Sequence, residues 1–140
     1  MTTHFLFVYG TLRKSPYGRL HPYLKNHAIF SGRASLPGKL YRIDHYPGAV
    51  PTPARSRHRV YGEVYRLLRP QKVLALLDEY EECSDNFAEP REYRRVAETV
   101  TLMTGQRLRA WIYWFRFPIA GLNRIKSGDF LMPAFAGAGK

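Results

Sequence analysis

The chain has 140 residues, enough for one domain with a real core. Hydrophobic residues make up 45% and charged residues 24%, as in a globular protein, and no apolar run reaches the roughly 18 residues that span a bilayer. The 22 basic and 11 acidic residues give a net charge of +11, which favours anionic partners and says nothing about fold. The basic residues are dispersed along the chain, which argues against a dedicated nucleic-acid surface. No basic segment followed by a long apolar one opens the sequence, so no signal peptide is expected. The single cysteine, Cys83, excludes an internal disulfide and is compatible with a cytoplasmic location. It follows two glutamates, which disfavour a thiolate, so it is read as incidental.

Phe5 to Tyr9 is an unbroken aromatic and β-branched run, the pattern of a strand buried on both faces. Gly10 follows. A glycine there lets the chain turn sharply and expose amide N–H groups, a cradle for a carboxylate or an oxyanion. On these residues alone an ordinary turn is the favoured reading. The segment 14–25 is polar, with one short helical turn expected around His21–Leu24. Ala28 to Leu36 reads as a strand with a bulge at Gly32, Pro37-Gly38 as a turn, and Lys39 to Ile43 as the return strand of a hairpin. Pro47, Pro51 and Pro53 keep the next segment extended, with a turn at Pro47-Gly48. Arg55 to Arg59 is a basic loop, and Val60 to Leu67 alternates as a strand with a tyrosine-rich face.

The clearest helix runs from Arg69 to Glu82, started by Pro70, with Val73, Leu74, Leu76, Leu77 and Tyr80 forming the apolar stripe. Glu92 to Met103 and Arg107 to Phe117 read as strands joined by a tight turn at Thr104-Gly105-Gln106. The aromatics Trp111, Tyr113, Trp114 and Phe115 are assigned to the core. Residues 124–130 read as a loop. A single domain over 1–132 is expected, with 133–140 as a disordered tail. About six strands and one main helix define an α+β chain, a small mixed β-barrel with one flanking helix.

Four acids stand near the end of the helix. At roughly 100° per residue, Glu81 lies about 70° from the apolar direction, Asp78 and Glu79 about 130°, and Glu82 about 170°. Glu81 is the acid that leans towards the core, and the others are expected to face water. A carboxylate at the edge of a core is costly unless paired or held at a functional pocket. Desolvation would raise its pKa and suit it to acid–base work. A salt bridge to Arg91, Arg94 or Arg95 is the alternative. The five histidines show no metal-ligand spacing, no serine sits in a nucleophile elbow, and no phosphate-binding glycine loop is present.

Tyr9-Gly10-Thr11-Leu12 after a buried strand, Leu77-Asp78-Glu79-Tyr80-Glu81 ending a helix, Tyr93-Arg94, and the late Ser127-Gly128-Asp129-Phe130 occur in this order. Together with Gly38, Tyr46-Pro47-Gly48 and the Val60 to Tyr65 strand, they make the chain resemble the γ-glutamylcyclotransferase-like family. That family includes γ-glutamylaminecyclotransferase and the plant AIG2-like proteins. The resemblance implies a small β-barrel with flanking helices and a cytoplasmic enzyme needing no metal or cofactor. It implies that Glu81 is the proton acceptor and that Tyr9, Gly10, Thr11 and Leu12, with Tyr93, bind the substrate. The expected reaction is cyclisation of a γ-glutamyl amine or γ-glutamyl amino acid, releasing 5-oxoproline and a free amine. The family often carries Gly after the catalytic Glu, where this chain has Glu82. A binding protein on the same fold, using its basic residues on RNA or another polyanion, is the less favoured expectation.

Overall fold

The computed structural model describes residues 3–10, 24, 26–81, 83–84 and 86–131. The expected helical turn at 21–24 and the tail at 133–140 fall outside them, apart from Leu24. The described residues form β1 (Phe5–Val8), β2 (Ala28–Arg42), β3 (Pro47–Pro51), β4 (Arg59–Leu67), α1 (Pro70–Tyr80), β5 (Tyr93–Leu102), β6 (Arg107–Phe115) and β7 (Asn123–Ile125). Strands β1, β4, β2, β3 and β6 close on one another as a five-stranded barrel, because β1 also pairs with β6. The barrel is mixed: β1 and β3 each run parallel to β6, and the other pairs are antiparallel. β5 lines up along β6, and β7 along the end of β2. No helix among the described residues is long and apolar enough to cross a membrane.

The reason β1 is apolar on both faces is now visible. Phe7 and Tyr9 enter the core made mainly by strand residues, with Leu36, Leu40, Val64, Ile112 and Trp114. Leu6 and Val8 enter a second core that holds Val73, Leu74 and Leu77 of α1. β6 divides in the same way, Ile112 and Trp114 to one side, Tyr113 and Phe115 to the other. Two cores share these strands, so neither can show a polar face.

Four readings are corrected. Pro37-Gly38 is not a turn, and there is no hairpin: β2 runs straight through it and changes partner there, from β4 up to Pro37 to β3 from Gly38 onwards. Gly38 is required because a Cβ would stand 3.0 Å from both the Val50 carbonyl oxygen and Val60 Cγ2. The segment Pro47–Pro51 is a strand, its prolines at the ends where a missing N–H breaks little of the ladder. Asn123–Ile125, read as loop, is a three-residue strand too short for any periodicity. Leu76 and Tyr80, placed on the apolar stripe, are exposed. The bulge at Gly32 is present as a register shift between Phe30 and Gly32, with φ +143° at the glycine.

Gly62 on β4 marks the tightest approach of the barrel wall to β1. A Cβ there would lie 2.2 Å from the Val8 carbonyl oxygen and 2.8 Å from Phe7 Cζ. Backbone cannot yield as a side-chain tip does, so Gly62→Ala is expected to destabilise the protein by about 2 kcal/mol or more in urea unfolding. An unchanged midpoint would show that β1 and β4 separate freely.

Candidate active site

The end of β1 is fixed by a phenol. Tyr9 donates its hydroxyl hydrogen to the Tyr113 carbonyl at 2.6 Å and accepts the Ala49 N–H at 3.1 Å. One side chain thereby ties β1 to β3 and β6. Burial raises its pKa, so the ring stays neutral and keeps both bonds. Gly10 comes next and lies beneath Pro47, where a Cβ would stand 2.9 Å from the proline ring. Tyr93, at the start of β5, donates to the Pro47 carbonyl at 2.7 Å. Its pKa is also raised, by burial first and then by Tyr9, Glu81 and Glu92.

α1 enters the same region from the other side. Its buried residues Val73, Leu74 and Leu77 fix its rotation, and Glu81 stands at its C-cap with its N–H bonded to the Leu77 carbonyl at 2.8 Å. The last turn is clamped by Asp78. That carboxylate accepts both Arg95 Nε at 2.8 Å and Arg95 Nη2 at 3.1 Å, and also the Tyr113 hydroxyl at 2.6 Å. Arg95 in turn lies over the Trp111 ring at 4.4 Å. Asp78 therefore does not face water as expected. The helical wheel places it away from the apolar stripe, but β5 and β6 reach around the helix far enough to meet it. Cys83, beside this clamp, has its thiol pushed up to about 12 by burial and then by Asp78 and Glu81, consistent with an inert thiol.

Gly10, Tyr46, Pro47, Glu81, Glu92 and Tyr93 meet around one cavity of about 260 Å³. Of the predicted site residues, Tyr9, Gly10, Tyr93 and Glu81 line this cavity together; Thr11 and Leu12 fall outside the described residues, as does Glu82. Among the described residues no hydrogen bond or ion pair holds the Glu81 carboxylate. The salt-bridge alternative is not realised: Arg95 is taken by Asp78, Arg91 pairs with Glu89, and Arg94 is exposed. The Glu81 pKa is pushed up to about 7, first by burial, then by the negative charges of Glu92 and Asp78.

Sequence reasoning missed Glu92 and Tyr46. The Tyr46 hydroxyl donates to Glu92 Oε2 at 2.6 Å, which holds a second acid at the cavity wall. Tyr46 had a signal as part of the Tyr-Pro-Gly turn, and Glu92 stands directly before Tyr93. Neither has a periodic pattern to mark it. Among the described residues that line the cavity none is a Lys or Arg, and no group of three or more His, Cys, Asp or Glu could hold a metal ion.

The elevated Glu81 pKa makes a stability prediction. The unfolded chain ionises this group near its ordinary 4.5, the folded protein only near 7. The folded state therefore holds the proton more tightly, and stability falls as pH rises between those values. The full loss, about 3 kcal/mol, is present above pH 7. Glu81→Gln removes that titration. Its stability relative to wild type is expected to improve by about this amount between pH 5 and pH 8 in urea unfolding. A stability difference that stays constant over that range would mean the carboxylate is well solvated.

The family model described as gamma-glutamyl cyclotransferase, AIG2-like, matches residues 6–132. A gamma-glutamylcyclotransferase family protein of Citrobacter rodentium is 35% identical over 127 residues, covering 90% of this chain and 94% of that one. A gamma-glutamylaminecyclotransferase of Bos taurus is 33% identical over 100 residues, covering 61% of this chain and 53% of its own. Among solved structures, an uncharacterized protein from Pyrococcus horikoshii superposes with a TM-score of 0.66 at 28% identity, covering 98% of each chain. An AIG2-like protein from Mus musculus gives 0.59 at 26% identity, over 79% of this chain and 76% of the other. With a closed mixed barrel, one flanking helix and the family model spanning nearly all of it, the chain belongs to the γ-glutamyl cyclotransferase, AIG2-like family.

Proposed function

We propose that the protein is an enzyme that cyclises a γ-glutamyl compound, with Glu81 as the proton carrier and the Tyr9–Leu12 loop as the cradle. The observation that carries this reading is the Glu81 carboxylate, which has no partner among the described residues and lines the cavity shared with Gly10, with its pKa pushed up to about 7. The substrate's α-ammonium gives a proton to Glu81. The freed amine attacks the substrate's own γ-carbonyl carbon, forming the five-membered ring and a tetrahedral oxyanion. Backbone N–H groups of Gly10, Thr11 and Leu12 are the proposed oxyanion donors. As the oxyanion collapses, the bond from the γ-carbon to the leaving nitrogen breaks. The proton held by Glu81 passes to that nitrogen, and the regenerated carboxylate takes the second proton from the ring nitrogen and hands it to the departing amine, so the carboxylate is restored and the products are 5-oxoproline and a protonated free amine.

The magnitudes support a raised pKa. An α-amino group titrates near 8, so a base near 7 takes its proton at a cost of about 1.4 kcal/mol. An ordinary glutamate would face a gap of nearly four pH units, about 5 kcal/mol. The phenols of Tyr9 and Tyr93 are already engaged with backbone groups. Their proposed part is therefore to shape the walls, while the loop backbone makes the polar contacts. Two acids and no Lys or Arg among the described lining residues favour an amine as leaving group over a carboxylate-bearing amino acid.

Release of 5-oxoproline from γ-glutamyl amines, followed by chromatography with mass detection, tests this directly. Glu81→Gln is expected to lower kcat about 10²- to 10⁴-fold while the fold persists. Wild-type kcat/KM is expected to rise with pH through about 7, as the free carboxylate becomes the main form. Equal turnover by wild type and Glu81→Gln would remove Glu81 from the mechanism.

A further inference from the structure

A second cleft shares no lining residue with the first. It lies where the loop preceding β4 meets β7 and the turn after it, and its volume is about 160 Å³. Lys39, Arg57, Arg59, Arg124 and Lys126 line it together with His58, and none of its lining residues is acidic. We propose that this cleft is a binding site for a small phosphoanion carrying two or three linked phosphates.

Two geometric facts support it beyond the charge. First, the backbone that carries the cationic residues is tied together. Tyr61 N–H bonds the Gly128 carbonyl at 2.8 Å and Gly38 N–H bonds the His58 carbonyl at 3.1 Å, so backbone bonds hold the walls. Gly128 adopts φ +73°, and a Cβ on it would overlap the Arg59 carbonyl oxygen at 1.9 Å. The Ser127-Gly128-Asp129 turn therefore closes directly on the strand that carries Arg59. Second, the donors are incompletely used. Arg59 Nε has found Ser35 Oγ at 3.0 Å, but Arg124 Nε is buried and has no partner among the described residues. Arg124 Nη2 instead meets His58 Nδ1 at 2.6 Å. A guanidinium only donates, so that ring nitrogen accepts and His58 is neutral. Slight desolvation, then the charges of Arg124 and Lys39, lower the His58 pKa in keeping with this.

The class of ligand follows from charge and size. One monoanion would leave most of five cations unmatched, whereas linked phosphates bring several charges and many acceptor oxygens to guanidinium forks. The volume is that of about five liquid waters, which suits a pyrophosphate-sized group. The basic residues of the Arg55–Arg59 loop thus have a local use that does not require a nucleic-acid surface. The site is independent of the cyclisation proposed above.

Calorimetric titration of the full chain with tripolyphosphate tests the proposal. One saturable site is expected, weaker as salt rises. Arg124→Gln combined with Lys126→Gln is expected to weaken it at least about tenfold. The exposed pair Arg107→Gln and Arg109→Gln removes the same charge elsewhere and is expected to leave affinity unchanged. Should the Arg124 variant not fold, Arg57→Gln with Lys126→Gln changes only exposed side chains and carries the same expectation. The His58 pKa, followed by proton NMR, is expected to rise on saturation. Absence of saturable binding, or equal losses in the cleft and control pairs, would overturn the site. Tighter binding of a single-stranded RNA oligomer than of tripolyphosphate would overturn the small-anion assignment.

Discussion

The grip of Asp78 on Arg95 and Tyr113 decides the character of the cavity. It engages Arg95 of β5 with two hydrogen bonds in fork geometry. The Tyr113 hydroxyl completes the set. Asp78 is three residues before Glu81, so the clamp also fixes the last helical turn from which Glu81 projects. Burial of the Glu81 carboxylate, and after it the negative charges of Glu92 and Asp78, push its pKa up to about 7, and among the described residues no cation offsets them.

The opposite wall rests on Tyr9. Closure of the barrel needs β1 beside β6, and β3 on the other side of β6. The Tyr9 hydroxyl bonds both of these neighbours at the point where β1 ends. Gly10 is then pressed under Pro47, whose carbonyl is held by Tyr93. Corner and helix end thus reach the cavity from two different cores, the strand core through Tyr9 and the helix core through Leu77. Small shifts between the cores would change the distance between Glu81 and Gly10. The shared strands, β1 and β6, oppose such shifts because each is packed on both faces.

What the sequence could reveal divides along physical lines. Continuous apolar runs and a proline at the first helical turn are local signals, and β1 and α1 were legible from them. The inward lean of Glu81 was legible too, since a wheel angle needs only the helix. Asp78 was not, because its burial depends on what β5 and β6 bring to the far side of that helix. Glu92 could not be found for the same reason: its partner, Tyr46, lies 46 residues away. Pro37-Gly38 misled because turn chemistry and a partner change within one continuous strand use the same residues. The Ser127-Gly128-Asp129 sequence was recognisable as a motif, but its packing on Arg59 is a tertiary fact.

The charge of the molecule is divided in a way that a net value conceals. The excess of basic residues raises the approach rate of anions over the whole surface. Screening confines each charge to about 8 Å at physiological salt, so remote arginines contribute little inside a cavity lined by Glu81 and Glu92. Among the described lining residues the two carboxylates are not matched by any Lys or Arg. In the proposed cyclisation this matters at the first step, where an ammonium must be drawn to Glu81 and not repelled. The carboxylate end of the same substrate then needs backbone N–H donors in place of a cation, and such donors are what a glycine corner at the end of a buried strand supplies. In the proposed reaction a cation packed against Glu81 would bind the carboxylate more tightly but would also lower the pKa of the proposed base, and no Lys or Arg stands among the described residues that line the cavity.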